Sequence, residues 1–192
     1  MTSHYIDITL LPDPEFSHLH LMSALVAKLH RALVERQNTD IGVSYPQHVE
    51  QPASRRTLGA VLRLHGTFDA LQHLMTQDWL KGMRDHTLVA ALRPAPAGAQ
   101  HRTVRRRQFK TNADRLRRRR IQRKGETAEQ AMAAIPDNVE RRPDLPFVQL
   151  SSSSTGQPYC LFVEHGPLLS ATSGSGGFNS HGLSKGSSIP WF

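Results

Sequence analysis

The side chains best suited to chemistry are arginines, and they are gathered in one place. Residues 105–124 hold eleven of the 24 Lys and Arg and one of the 16 acids. The rest of the chain carries 13 bases against 15 acids, so the whole net charge of +8 arises in this stretch. Such concentration is the electrostatic footprint of a polyanion site. The arginine fork pairs with phosphate at two points, and with guanine O6 and N7 in the same way. A solvated basic run or a localisation signal is the bland alternative. The run's helix-forming character and its place between two structured parts argue against it. The eleven His residues include no close ligand pair such as HExxH, and Cys160 stands alone. That excludes an internal disulfide and gives no zinc cluster, so no metal and no cofactor is expected.

The elements that must position these side chains follow from periodicity. Ile6, Ile8 and Leu10 alternate with Tyr5, Asp7 and Thr9, which predicts a strand. Ser17 can cap the helix that follows, in which Leu21, Leu25, Leu29 and Ala32 recur every three or four residues. Strands are expected over residues 41–45, 58–64 and 87–92, with a second helix over 68–77. The order βαββαβ is the ferredoxin-like pattern. Residues 94–99, rich in Pro and Ala, read as a linker. Asn112 is a plausible N-cap for an arginine helix with only Leu116 and Ile121 apolar, a helix that must face solvent or a ligand. Thr127 with Gln130 forms a capping box before Pro136. Residues 145–150 and 159–163 read as paired strands. Residues 173–188 are rich in Gly and Ser, and the closing Trp191 and Phe192 suggest a tail pinned to the body. The expected fold is α+β: a ferredoxin-like domain over residues 1–94 and a C-terminal α+β domain over 95–192 bearing the arginine helix. No apolar run is long enough for a membrane, and the N-terminus lacks a signal peptide's layout, so a reducing cytoplasmic setting is expected.

Several segments, taken in order, resemble the CRISPR-repeat-processing endoribonucleases of type I-F systems. They are His4-Tyr5-Ile6-Asp7-Ile8, Leu11-Pro12-Asp13-Pro14-Glu15-Phe16, Lys28-Leu29-His30, Ile41-Gly42-Val43-Ser44, Arg115-Leu116-Arg117-Arg118-Arg119, Leu145-Pro146-Phe147-Val148, Ser154-Thr155-Gly156-Gln157, Gly182-Leu183-Ser184-Lys185-Gly186 and Pro190-Trp191-Phe192. The resemblance implies an enzyme that binds the hairpin of a CRISPR repeat RNA and cuts at the 3′ base of the stem. It implies attack by the substrate's own 2′-hydroxyl, without metal. It also implies a crRNA product that stays bound and joins the other subunits of a surveillance complex. Carried over residue by residue, His30 falls on the catalytic histidine and Ser152 on the serine that holds the ribose. Arg106 and Gln108 fall on readers of base edges. Arg115, Arg118, Arg119 and Arg123 match arginines laid in the RNA major groove, and Tyr159 an aromatic that stacks on the terminal base pair. The glycine-rich loop around Lys185 reads either as a simple linker or, through its lysine and backbone N–H groups, as a cradle for phosphate.

Two positions depart from the family's pattern. His181 stands where a tyrosine often precedes the Gly-Leu-Ser-Lys-Gly loop, as orienting group, second acid/base or bystander. Gln122 stands where a further arginine may occur. Ser152 lies among four serines, and a slip of register would move its role to Ser151 or Ser153. The A-form major groove is normally too deep to read, so a compact stem is favoured over long duplex. A non-catalytic hairpin binder and a basic DNA-binding protein are the competing readings.

Overall fold

The computed structural model describes residues 2–37, 39–49, 56–109, 113–136, 144–152, 155–174 and 176–192. They form two compact units. One comprises residues 1–106 with 145–192, and the other comprises residues 107–144.

In the first unit, β1 (His4–Leu10), β2 (Gly42–Ser44), β3 (Val61–Gly66) and β4 (Thr87–Val89) make an antiparallel sheet in the order β2-β3-β1-β4. Helices α1 (His18–Arg36) and α2 (Phe68–Thr76) fall between the strands in the ferredoxin-like order. The alternation of β1 holds: Ile6, Ile8 and Leu10 are buried. Its other face carries Tyr5 and Asp7. There the Arg63 guanidinium forks onto Asp7 and lies 4.0 Å from the centre of the Phe192 ring. Phe192 also packs edge-on against Tyr5, so the tail is pinned back as its aromatic residues suggested.

Two strand limits differ from expectation. β3 begins at Val61 because Gly59 turns the chain with φ +76, its Cβ position only 2.5 Å from the Gln47 carbonyl oxygen. The strand expected over 87–92 ends at Val89, and a separate short strand beyond that range, β5 (Arg93–Pro94), pairs with the other end of β1. Proline there costs nothing, since an edge position needs no N–H.

α1 starts where Ser17 accepts a hydrogen bond from the His20 N–H and stops where Gln37 turns left-handed. Leu25 and Leu29 are fully buried along its inner stripe. Such side chains contribute about 1.5–3 kcal/mol each by leaving water.

A second sheet in the same unit has the order β7-β8-β6-β9, from β6 (Gln100–Arg107), β7 (Phe147–Ser151), β8 (Pro158–His165) and β9 (Ser188–Trp191). β7 and β8 match the expected pair, whereas β6 and β9 had no counterpart in the pattern. Val104 is the only fully buried apolar residue of β6. Beside it on the same face, Arg102 lies over Trp191 at 4.4 Å and Arg106 over Tyr159 at 5.5 Å. Cation–π contacts and arginine stems replace the usual apolar alternation. On the other face, Arg105 forks onto Glu164. β9 contains Pro190 and is an edge strand. One hydrophobic cluster runs through both sheets, from Ile8 and Leu25 to Val104, Val148 and Val163. The Gln149 N–H donates to Ser23 Oγ, tying β7 to α1.

The second unit holds α3 (Ala113–Lys124) and α4 (Ala128–Ala134), the latter opened by the expected Thr127–Gln130 capping box. Asn112, the expected cap of α3, lies outside the described residues. Among the described residues no helix is long and apolar enough to cross a membrane.

Candidate nucleic-acid interface and histidine site

α1 carries His30 on the border of its buried stripe, between the buried Val26 and Leu33. Its imidazole stacks on that of His181, with ring centres 4.0 Å apart and planes 12° from parallel. His30 Nδ1 lies 2.8 Å from the Ser180 carbonyl oxygen. A carbonyl only accepts, so Nδ1 carries the hydrogen and the neutral ring's lone pair sits on Nε2. His181 Nε2 is 3.2 Å from the Tyr159 hydroxyl. Burial first, then the neighbouring His30 and Arg106, push His181 down to about 4. It is therefore neutral at neutral pH. Arg106 closes the group over the Tyr159 ring, and its buried Nε meets no acceptor among the described residues.

The loop that brings His181 to His30 is fixed by turn chemistry. Asn179 Oδ1 accepts from the N–H groups of His181 and Leu183. Gly182 has φ +71, and a Cβ there would meet Val43 Cγ1 at 2.5 Å, so only glycine fits this approach to β2. Beyond it, Ser184 Oγ accepts from the Ser187 and Gly186 N–H groups, leaving Lys185 exposed at the turn.

The structure thus joins four of the expected site residues: His30, His181, Tyr159 and Arg106. Ser152 lies in the β7–β8 turn, where its N–H donates to the Gln157 carbonyl and its carbonyl accepts from Gly156. Ser153 and Ser154 lie outside the described residues. Gln108 is exposed just after β6. Arg115, Arg118, Arg119 and Arg123 are exposed on α3, at a spacing that places them in one stripe with Gln122. Arg117 and Arg120 are engaged within their own unit. Arg117 Nε donates to the Ile135 carbonyl and Arg120 pairs with Glu126.

Asn179 and the Ser180 carbonyl went unrecognised in the sequence. The Asn and Gly of Asn179-Ser180-His181-Gly182 do mark a turn, but nothing in a sequence marks where a backbone carbonyl points. Among the described residues no group of three or more His, Cys, Asp or Glu is gathered as for a metal ion.

An α+β protein with paired imidazoles in one unit and an exposed arginine stripe in the other has the parts of a nucleic-acid enzyme. A family model described as CRISPR-associated protein (Cas_Csy4) matches residues 5–192. The chain is 48% identical over 189 residues to the CRISPR-associated endonuclease Cas6/Csy4 of Pseudomonas aeruginosa strain UCBPP-PA14, covering 98% of this chain and 99% of that one. It is 44% identical over 189 residues to the CRISPR-associated endonuclease Cas6/Csy4 of Escherichia coli strain UTI89, with the same coverage. A solved structure described as an RAMP protein binding different RNA substrates aligns with 97% of this chain and 98% of its own, at a TM-score of 0.33 and 12% identity. The chain belongs to the Cas_Csy4 family of CRISPR-associated endonucleases.

Proposed function

We propose that the protein binds the stem-loop of a CRISPR repeat RNA, cuts it at the 3′ base of the stem without metal, and keeps the crRNA product. The observation that carries this reading is the hydrogen bond between His30 Nδ1 and the Ser180 carbonyl. The Ser180 carbonyl takes the Nδ1 hydrogen, so Nε2 is the basic nitrogen. Nε2 takes the proton of the 2′-hydroxyl as the O2′–P bond forms and the P–O5′ bond breaks. The leaving oxygen is protonated from solvent or an acid of the complex, giving a 5′-hydroxyl and a 2′,3′-cyclic phosphate. The substrate supplies the nucleophile and the bound stem supplies its alignment. His181, neutral and stacked, orients the His30 ring, and Tyr159 braces His181 through its hydroxyl. Ser152 holds the ribose, and Arg106 and Gln108 read base edges at the foot of the stem. The α3 arginines follow the phosphates, with Lys185 as a further phosphate contact. In this reading residues 1–94 supply the base and residues 95–192 the grip on RNA. The retained product places the protein in a type I-F surveillance complex with other subunits.

The test is single-turnover cleavage of repeat RNA. His30→Ala is expected to lower the rate by about 10² to 10⁴, the range for a lost general base. Binding should hold within a few fold. A 2′-deoxyribose upstream of the scissile phosphate should block cleavage and not binding, and EDTA should change little. A deoxy substrate that is still cut, or activity abolished by EDTA, refutes the mechanism.

A further inference from the structure

We infer that Asn179 is a positioning residue that sets the tautomer of His30 through a single peptide group, a role that rests on His30 acting as the base. The peptide between Ser180 and His181 is held at both ends. Its N–H donates to Asn179 Oδ1 at 2.8 Å, and its C=O accepts from His30 Nδ1 at 2.8 Å. In a trans peptide these two bonds point in opposite directions. Fixing the N–H on Asn179 therefore aims the carbonyl at the histidine. Asn179 is itself anchored. Oδ1 also accepts from the Leu183 N–H at 3.2 Å, its backbone N–H donates to the Leu183 carbonyl, and its carbonyl accepts from the Gly182 N–H. The Gly182 carbonyl in turn accepts from the Val43 N–H of β2. A chain of bonds thus runs from the first sheet through Asn179 to His30, and its two arms, from Leu183 and from His181, both donate into Asn179 Oδ1. The same peptide starts His181, so one amide side chain fixes both the tautomer of His30 and the backbone of the ring stacked on it. A hydrogen-bond partner on one imidazole nitrogen decides which atom the other presents to substrate.

The experiment uses the whole chain and three variants: Asn179→Ala, Asn179→Gln and Asn179→Asp. The tautomer of His30 is read from imidazole nitrogen shifts in RNA-free protein, and the single-turnover rate and repeat-RNA affinity are measured in parallel. Asn179→Ala removes the acceptor. Asn179→Gln keeps the amide and displaces its oxygen, and carries the measurement should the alanine variant not fold. Asn179→Asp keeps both acceptor bonds. The expected result is a shift of His30 toward hydrogen on Nε2 in the Ala and Gln variants. Their cleavage should fall about 10- to 100-fold, as for a displaced catalytic group, with affinity held. Asp should restore the tautomer and most of the rate. His30 signals unchanged from wild type in Ala and Gln overturn the inference, whatever the rate does. A shifted tautomer with an unchanged rate supports the positioning and instead removes His30 as the base.

Discussion

Six arginines lie on α3, and the structure divides them by what they already do. Arg117 has only 12% of its side chain exposed and is spent on the Ile135 carbonyl and Asp114, while Arg120 pairs with Glu126. Arg118 and Arg119 are exposed. If the exposed stripe contacts phosphate, replacing Arg118 and Arg119 together by Gln should remove about two counterions from the binding equilibrium. At roughly 0.7–0.9 per phosphate contact, the slope of log affinity against log salt should flatten by about 1.4–1.8. Between 50 and 200 mM salt, the fourfold change makes wild type lose about tenfold more affinity than the variant. The paired substitution Arg117→Gln with Arg120→Gln removes the same formal charge. It should leave the slope near wild type and lower the stability of the two-helix unit. Fluorescence anisotropy of labelled repeat hairpin across that salt range reads the slope for both double variants, and a urea midpoint reads the stability. Equal flattening by the two double variants would refute the division and show that only net charge matters.

Gln108→Ala should relax preference at one base pair by about 1–3 kcal/mol, the value of a bidentate amide-to-adenine contact; an equal loss on every hairpin sequence would make Gln108 a positioning contact. Gly182→Ala should cost about 1–2 kcal/mol for the left-handed backbone and about 1–3 kcal/mol for the collision with Val43. A urea midpoint equal to wild type would sink that account. The protein should lose stability in acid. His181, His65 and His165 are held neutral to about 4, 3 and 2 by burial, whereas the unfolded chain takes up their protons below 6.5. Stability is therefore full above 6.5 and falls as pH drops. The His181 share is lost by about 4 and the other two continue lower. Thermal midpoints that stay level from pH 7 to pH 4 would contradict this.

What the sequence made legible is what depends on local pattern. The alternation of Ile6, Ile8 and Leu10 and the leucine stripe of α1 expose one face to water if not buried. The hydrophobic effect therefore fixes them wherever the rest of the chain goes. The Ser17 and Thr127 caps are equally local, because the partners lie three residues away. The concentration of charge at residues 105–124 is a property of the sequence alone, and so is the family to which the motifs belong.

Tertiary structure decided the rest. β6 is invisible as a strand because its inner face is made of arginines whose aromatic partners, Trp191 and Tyr159, lie 89 and 53 residues further along the chain. Which arginines of α3 are exposed depends on the Ile135 carbonyl and Glu126, groups that no helical period reveals. The pairing of His30 with His181 spans 151 residues of chain, and the bond that sets its tautomer goes to a backbone carbonyl. Every residue carries such a carbonyl, so the sequence names the imidazole, and only the folded loop decides which of its nitrogens can take a proton.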